Sequence, residues 1–143
     1  MYRRQLVGFS FLAWICVWGF WLGLTHRFHP TFSLAVIVTT ALVIAYAIAA
    51  YANHFTLIPR LWRTGRRLEY AAILIVMMVA LTGIALAVIR FAYFEVAGPD
   101  PDPKGVYKHF AIDLFGMAVH LGAAVAVVRI SRGLRGGEVK RAT

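Results

Sequence analysis

Four apolar runs occupy most of this sequence and leave little chain for anything else. They cover about residues 6–24, 32–53, 70–93 and 107–128, the last being the least apolar. About 20 helical residues cross a hydrocarbon core of ~30 Å, so a run of 18 or more is a candidate transmembrane helix. In lipid the backbone satisfies its own hydrogen bonds only as helices or as closed barrels. The ~10-residue alternating strands of a barrel are absent from the sequence. The expectation is an all-α, polytopic membrane protein with four transmembrane helices. The composition, 61% hydrophobic and 15% charged over 143 residues, departs from soluble domains in the same direction. The length allows a single transmembrane domain, 1–143, of which 131–143 is a basic cytoplasmic tail.

The first run follows Arg3 and Arg4, as the core of a signal peptide would. It is long, however, carries Trp14, Trp18 and Trp21, and has no small-residue cleavage pattern before Thr25, so it reads as a retained helix.

Charge orients the spans. Fifteen Lys and Arg against six Asp and Glu give a net +9. In a soluble chain that excess would suggest nucleic acid; the apolar content argues against such a partner. Eleven of the fifteen basic residues fall on one side of a four-span arrangement: Arg3, Arg4, Arg60, Arg63, Arg66, Arg67, Arg129, Arg132, Arg135, Lys140 and Arg141. Only Arg27, Arg90, Lys104 and Lys108 fall on the other, with the acids Glu95, Asp100, Asp102 and Asp113. The positive-inside rule then predicts a multi-pass protein of the inner (plasma) membrane with both termini cytoplasmic. The connections are Thr25–Thr31, a basic inner loop His54–Glu69, and an outer loop Phe94–Gly105 whose alternating prolines forbid a helix. Short connections favour antiparallel neighbours, hence an up-down-up-down four-helix bundle. Gly133, Gly136 and Gly137 predict a loose tail after Ile130.

Small residues recur at helix-packing spacing: Gly19 and Gly23, then Ala41, Ala45 and Ala49, then Ala80, Gly83 and Ala87. In lipid such residues let helix backbones approach. Packing within the bundle is the expected use, ahead of a dimer interface. Trp21 is placed to anchor at the outer interface.

The most informative constellation is on the fourth helix. His109, Asp113, Gly116 and His120 fall within an arc of about 60° at 100° per residue. An ionisable residue inside a membrane helix costs roughly 3 kcal/mol or more unless it faces protein or water. The stripe must therefore face the bundle interior or a cavity. Four readings stay open. Two histidines flanking a glycine suit b-type haem, with His26, His29 or His54 supplying the opposite ligand. Membrane cytochromes usually space such histidines wider than the eleven residues here. A proton or ion path through Asp113 and His120 is a second reading, weakened by an expected Arg90–Asp113 ion pair. Mutual satisfaction of the polar groups, fixing helix register, is a third. A ligand- or pH-sensing cavity is the fourth, since histidine titrates in the useful range.

Enzyme signatures are missing. There is no HExxH, GxSxG or P-loop and no pair of intramembrane carboxylates. The lone Cys16 excludes a disulfide scaffold and a cysteine metal site and has no evident base beside it. Thr39, Thr40 and Thr82 are expected to bond their own helix backbones.

The segment from Tyr51 to Tyr70 has a distinctive shape: Tyr-x-Asn, then Leu57-Ile58-Pro59-Arg60, then a basic turn with Arg67, then Tyr70 opening the next helix. It resembles the membrane-embedded N-terminal region of LytS/YehU-like sensor histidine kinases. The matching positions are Tyr51, Asn53, Leu57, Ile58, Pro59, Arg60, Arg67 and Tyr70, and the likeness covers about half of the chain. Here Pro59 is expected to end the second helix, and the arginines to hold the loop at the anionic inner leaflet at roughly 1 kcal/mol each. The kinase that follows in that family is absent from this sequence. The resemblance thus implies a stand-alone sensor-like or accessory module. Leu81-Thr-Gly-Ile-Ala-Leu86 bears a fainter similarity to b-type cytochrome membrane subunits, although that helix has no histidine.

The combined expectation is a non-enzymatic sensor-like or accessory membrane protein without cofactor or metal. It would act through a signalling partner, or through anionic lipids, at its basic face of Arg60, Arg63, Arg66 and Arg67. The alternative is a haem b-binding electron-transfer subunit using His109 and His120, with His54 or His26 opposite.

Overall fold

The structure is a computed structural model. It describes the backbone of residues 2–98 and 105–141, and side chains at 12–98, 105, 107–127 and 129. Among the described residues there is no strand. Four long helices follow one another: α1, Tyr2–Thr25; α2, Phe32–Ala52; α3, Arg67–Ala97; and α4, Gly105–Arg141. A short 3-10 turn, His26–Phe28, joins α1 to α2, and a π-helical segment, Asn53–Trp62, extends α2.

Local chemistry sets several of these boundaries. The Thr31 hydroxyl accepts from the Leu34 backbone N–H at 3.2 Å, capping one of the orphan donors at the start of α2. Gly98, at φ +80°, ends α3, and its N–H returns to the Phe94 carbonyl at 3.0 Å. That left-handed conformation suits glycine, which has no Cβ to clash. Gly65, at φ +82°, makes the reversal between the π-helical segment and α3.

Among the described residues, three stretches are long and apolar enough to cross a membrane: Phe32–Trp62, Arg67–Ala97 and Tyr107–Val127. Their outward side chains are large hydrophobics, including Ile44, Ile48, Ile75, Val76, Phe115 and Val119. A surface of this kind is a liability in water and a match for lipid. Length and composition thus mark a membrane-embedded helical protein. The span expected at 6–24 lies within α1, but the side chains of residues 2–11 fall outside the described residues. So do the proline run at 99–103, the cations Arg3, Arg4 and Lys104, and the side chains of the tail.

Helix α2 is central and touches α1, α3 and α4. Its small-residue line is used as expected, with Ala45 and Ala49 buried. They pack with Tyr46, Ala85 and Met117, and Trp14, Leu42, Met77, Met78 and Leu81 close around them. Close backbone approach takes the place of the hydrophobic drive that lipid cannot supply.

Several expectations are corrected. The second helix does not stop near Asn53. Pro59 sits inside the π-helical segment, and the chain stays helical to Trp62, so most of the basic loop expected at 54–69 is helix. An α-helix would press the proline ring against the carbonyl four residues back. The wider π turn displaces that carbonyl, and five-residue bonds follow: Arg63 N–H to Ile58 O at 3.1 Å, Arg66 N–H to Leu61 O at 3.0 Å. The tail expected to be loose is helical through Gly133, Gly136 and Gly137 to Arg141. Once a span has nucleated the helix, each added residue gains a bond without a new nucleation cost. Gly19 and Gly23 are exposed, and a methyl group at either would meet nothing within 4 Å, so they are not packed within the bundle. Gly83 is equally uncrowded. Thr40 works between helices, accepting from the Trp18 indole at 3.0 Å. Thr82 reaches Met117 Sδ at 3.9 Å.

Candidate functional site

The polar stripe of α4 divides into two regions with different surroundings. Its lower part is filled by protein. The Tyr46 ring of α2 stacks on His120, with centroids 4.6 Å apart and an interplanar angle of 27°. The Tyr46 hydroxyl lies over Gly116, where a Cβ would come within 2.8 Å of it. The same hydroxyl approaches the Asp113 carbonyl at 3.5 Å. The gap that glycine leaves in α4 therefore holds a phenol.

His120 is engaged at both ring nitrogens. The Trp21 indole donates to Nε2 at 3.0 Å, and an indole N–H has no other role. Nε2 is then the acceptor, so Nδ1 carries the proton and donates to the Gly116 carbonyl at 2.7 Å. The ring is held as one neutral tautomer by α1 and α4, and by α2 through stacking. A ligand at His120 Nε2 would have to displace Trp21.

The upper part of the stripe opens into a cavity of about 1070 Å³. His109 and Asp113 of α4 line it, with Arg90 and Tyr93 of α3, Thr39 of α2, and His29 from the connection before α2. Apolar walls come from Leu42, Val43, Leu86, Ile89 and Ile112. A few convergent polar groups on apolar walls are the usual make-up of a small-molecule site. The structure therefore brings Arg90, His109 and Asp113 to one cavity. It places Gly116 and His120 below that cavity, in the packed layer.

His29 and Tyr93 tie the open end together, sharing a hydrogen bond of 2.5 Å between Nδ1 and the phenol oxygen. Burial lowers the His29 pKa from its ordinary 6.5, because a desolvated imidazolium loses its hydration. His26 instead turns Nδ1 toward its own helix, 2.9 Å from the Gly23 carbonyl. His54 belongs to the opposite end of the molecule, in a smaller cleft beside Val125 and Arg129. Among the described residues no group of three or more His, Cys, Asp or Glu is placed to hold a metal ion. No buried side-chain nitrogen or oxygen among them lacks a partner.

The basic turn has its own architecture. Asn53 is almost wholly buried and accepts from the Tyr70 hydroxyl at 2.9 Å, joining the two helices below the turn. Leu57 and Leu61 are buried on the same segment. Trp62 meets Tyr70 edge-on at 5.2 Å, and the Arg67 guanidinium lies over the Trp62 ring at 5.5 Å. Arg66 pairs with Glu69 through two bonds, one of them 2.7 Å from Nε. Much of the Tyr51–Tyr70 pattern is thus accounted for by joining two helices.

Sequence reasoning missed Tyr46 and the Trp21–His120 bond. The signal for Tyr46 was weak: a lone tyrosine in the middle of an apolar span, at a depth matching Gly116. Comparison with known proteins gave no matching family, no matching curated protein and no matching solved structure.

Proposed function

We propose that this chain is a non-enzymatic, sensor-like membrane module. Its cavity between the helices receives a small ligand, and its basic turn meets a signalling partner. The observation that carries this reading is the cavity, where Arg90, His109 and Asp113 converge at membrane depth among apolar walls. Ionisable groups at that depth are costly unless they face protein or water, and these three face a cavity between the helices. In the proposed arrangement the four helices run up-down-up-down with both termini cytoplasmic. Support comes from the lining of the cavity by the C-terminal parts of α1 and α3 and the N-terminal parts of α2 and α4. The distribution of basic residues supports the orientation.

The test is a thermal-shift screen of small amphiphilic anions and neutral polar compounds on the purified protein in detergent. A hit is expected to lose its shift in Asp113→Asn or Arg90→Gln, and to keep it in Arg60→Gln. Hits indifferent to both cavity variants would refute the reading. Partner capture unchanged in an Asp113→Ala/His120→Ala variant would remove the signalling role.

A haem b-binding electron-transfer subunit is the second reading, favoured by one observation: His29 and His109 line the same cavity. It requires a Soret band in protein from haem-supplied cells, lost in His109→Ala. A colourless preparation would eliminate it.

A further inference from the structure

The smaller cleft lies at the other end of the molecule, between the π-helical segment, the start of α3 and α4, with a volume of about 360 Å³. Arg63, in the turn that follows the π-helical segment, and Arg129 of α4 both reach it, together with His54. Among the described residues, no carboxylate lines it. The two neighbouring arginines of the turn are committed elsewhere, Arg66 to Glu69 and Arg67 to the face of Trp62. Two guanidiniums converging on one cleft without an acid repel each other, and an anion between them removes that repulsion. Guanidinium is also the side chain best matched to phosphate oxygens.

The other walls specify what carries the anion. Trp62 and Tyr70 stand beside the arginines, and Phe55 and Ile58 continue the lining toward the apolar flank of the helix. Phe55 is 68% exposed, so the cleft runs into the surface that lipid would cover. Aromatic rings with polar edges belong at headgroup level, and basic pockets between membrane helices suit anionic headgroups.

We propose that this cleft binds the phosphate headgroup of one anionic phospholipid, with Arg63 and Arg129 on the phosphate and the first part of an acyl chain along Phe55. The site rests on the proposed membrane embedding but not on which way the helices run. It is measured in detergent, where orientation has no meaning, so a reversed topology would leave it standing.

The experiment is native mass spectrometry of the protein in neutral detergent with added phosphatidylglycerol or phosphatidylcholine. One phosphatidylglycerol is expected to be retained in preference to phosphatidylcholine. Arg63→Gln and Arg129→Gln are each expected to weaken retention about fivefold, at the usual strength of one arginine near an anionic headgroup. Arg60→Gln removes the same charge from an exposed position outside the cleft and is expected to weaken retention less than Arg63→Gln does. An Arg60→Gln loss as large as that of Arg63→Gln would replace the site with diffuse surface charge. Equal retention of phosphatidylcholine, or displacement of phosphatidylglycerol by equimolar inorganic phosphate, would also overturn it.

Discussion

Gly116→Ala tests the packing around the α4 stripe most directly. The added Cβ would lie 2.8 Å from the Tyr46 hydroxyl and 3.6 Å from the ring carbon bearing it. The first distance is a clash and the second an ordinary contact. Tyr46 is buried and stacked on His120, so it has no free direction of retreat. Forcing a methyl into such a site costs about 1–3 kcal/mol. Glycine to alanine within a helix returns ~1 kcal/mol. The net loss is therefore only about 0–2 kcal/mol, and the single variant is a weak test.

A control on the same helix isolates the steric part. Gly122 is exposed, and its added methyl would meet nothing within 4 Å. Gly122→Ala carries the propensity gain without the clash, so the difference between the two variants is expected to be about 1–3 kcal/mol. A second leg removes the offending atom. With Tyr46→Phe only the 3.6 Å ring contact remains, and Gly116→Ala is expected to cost no more there than Gly122→Ala. Denaturant unfolding in detergent micelles, followed by helicity, gives all the free energies of the cycle. Equal stabilities for Gly116→Ala and Gly122→Ala would refute the close approach. So would a Gly116→Ala penalty that survives Tyr46→Phe.

Three further outcomes follow from the same contacts. Tyr70→Phe leaves the buried Asn53 carbonyl oxygen without its donor and is expected to cost about 1–3 kcal/mol by the same unfolding measurement. Trp21→Phe removes the indole N–H that holds His120 Nε2; about 1 kcal/mol of stability should go with it. Nitrogen-15 shifts of His120 should then report a mixture of tautomers in place of one. The third concerns pH. Burial lowers the folded pKa of His29 below its ordinary 6.5, so the unfolded chain takes up the proton first as pH falls. The contribution of neutral His29 is full above about pH 6.5 and is lost as pH falls through the lowered folded value. Wild type should lose stability relative to His29→Gln across that interval, and parallel pH profiles would contradict this account.

Part of the Tyr51–Tyr70 segment serves a helix junction. Asn53 and Tyr70 join the two helices, and Arg67 covers Trp62. Pro59 shows how a sound local rule fails. Proline stops an α-helix through its clash with the carbonyl four residues back, but a chain that widens into π turns avoids the clash and continues. Glycines divided in the same way. Gly116 takes part in a close approach, whereas Gly19 and Gly23 face outward despite their GxxxG spacing. Spacing records that small residues share a face; it does not record what lies opposite.

What the sequence determined alone is what depends on near neighbours along the chain. Apolar run length fixed the helical class and marked where the helices begin to within a few residues, while the second and fourth run on well past their expected ends. Helical period placed His109, Asp113, Gly116 and His120 on one stripe. Tertiary structure decided how that stripe is divided. Only the packing of α1 and α2 against α4 puts Trp21 and Tyr46 on His120 and fills the gap at Gly116, while the upper stripe opens beside Arg90 and Tyr93. The physical reason is that periodicity specifies the residues sharing one face of a helix, whereas a cavity depends on how side-chain volumes from several helices fit together.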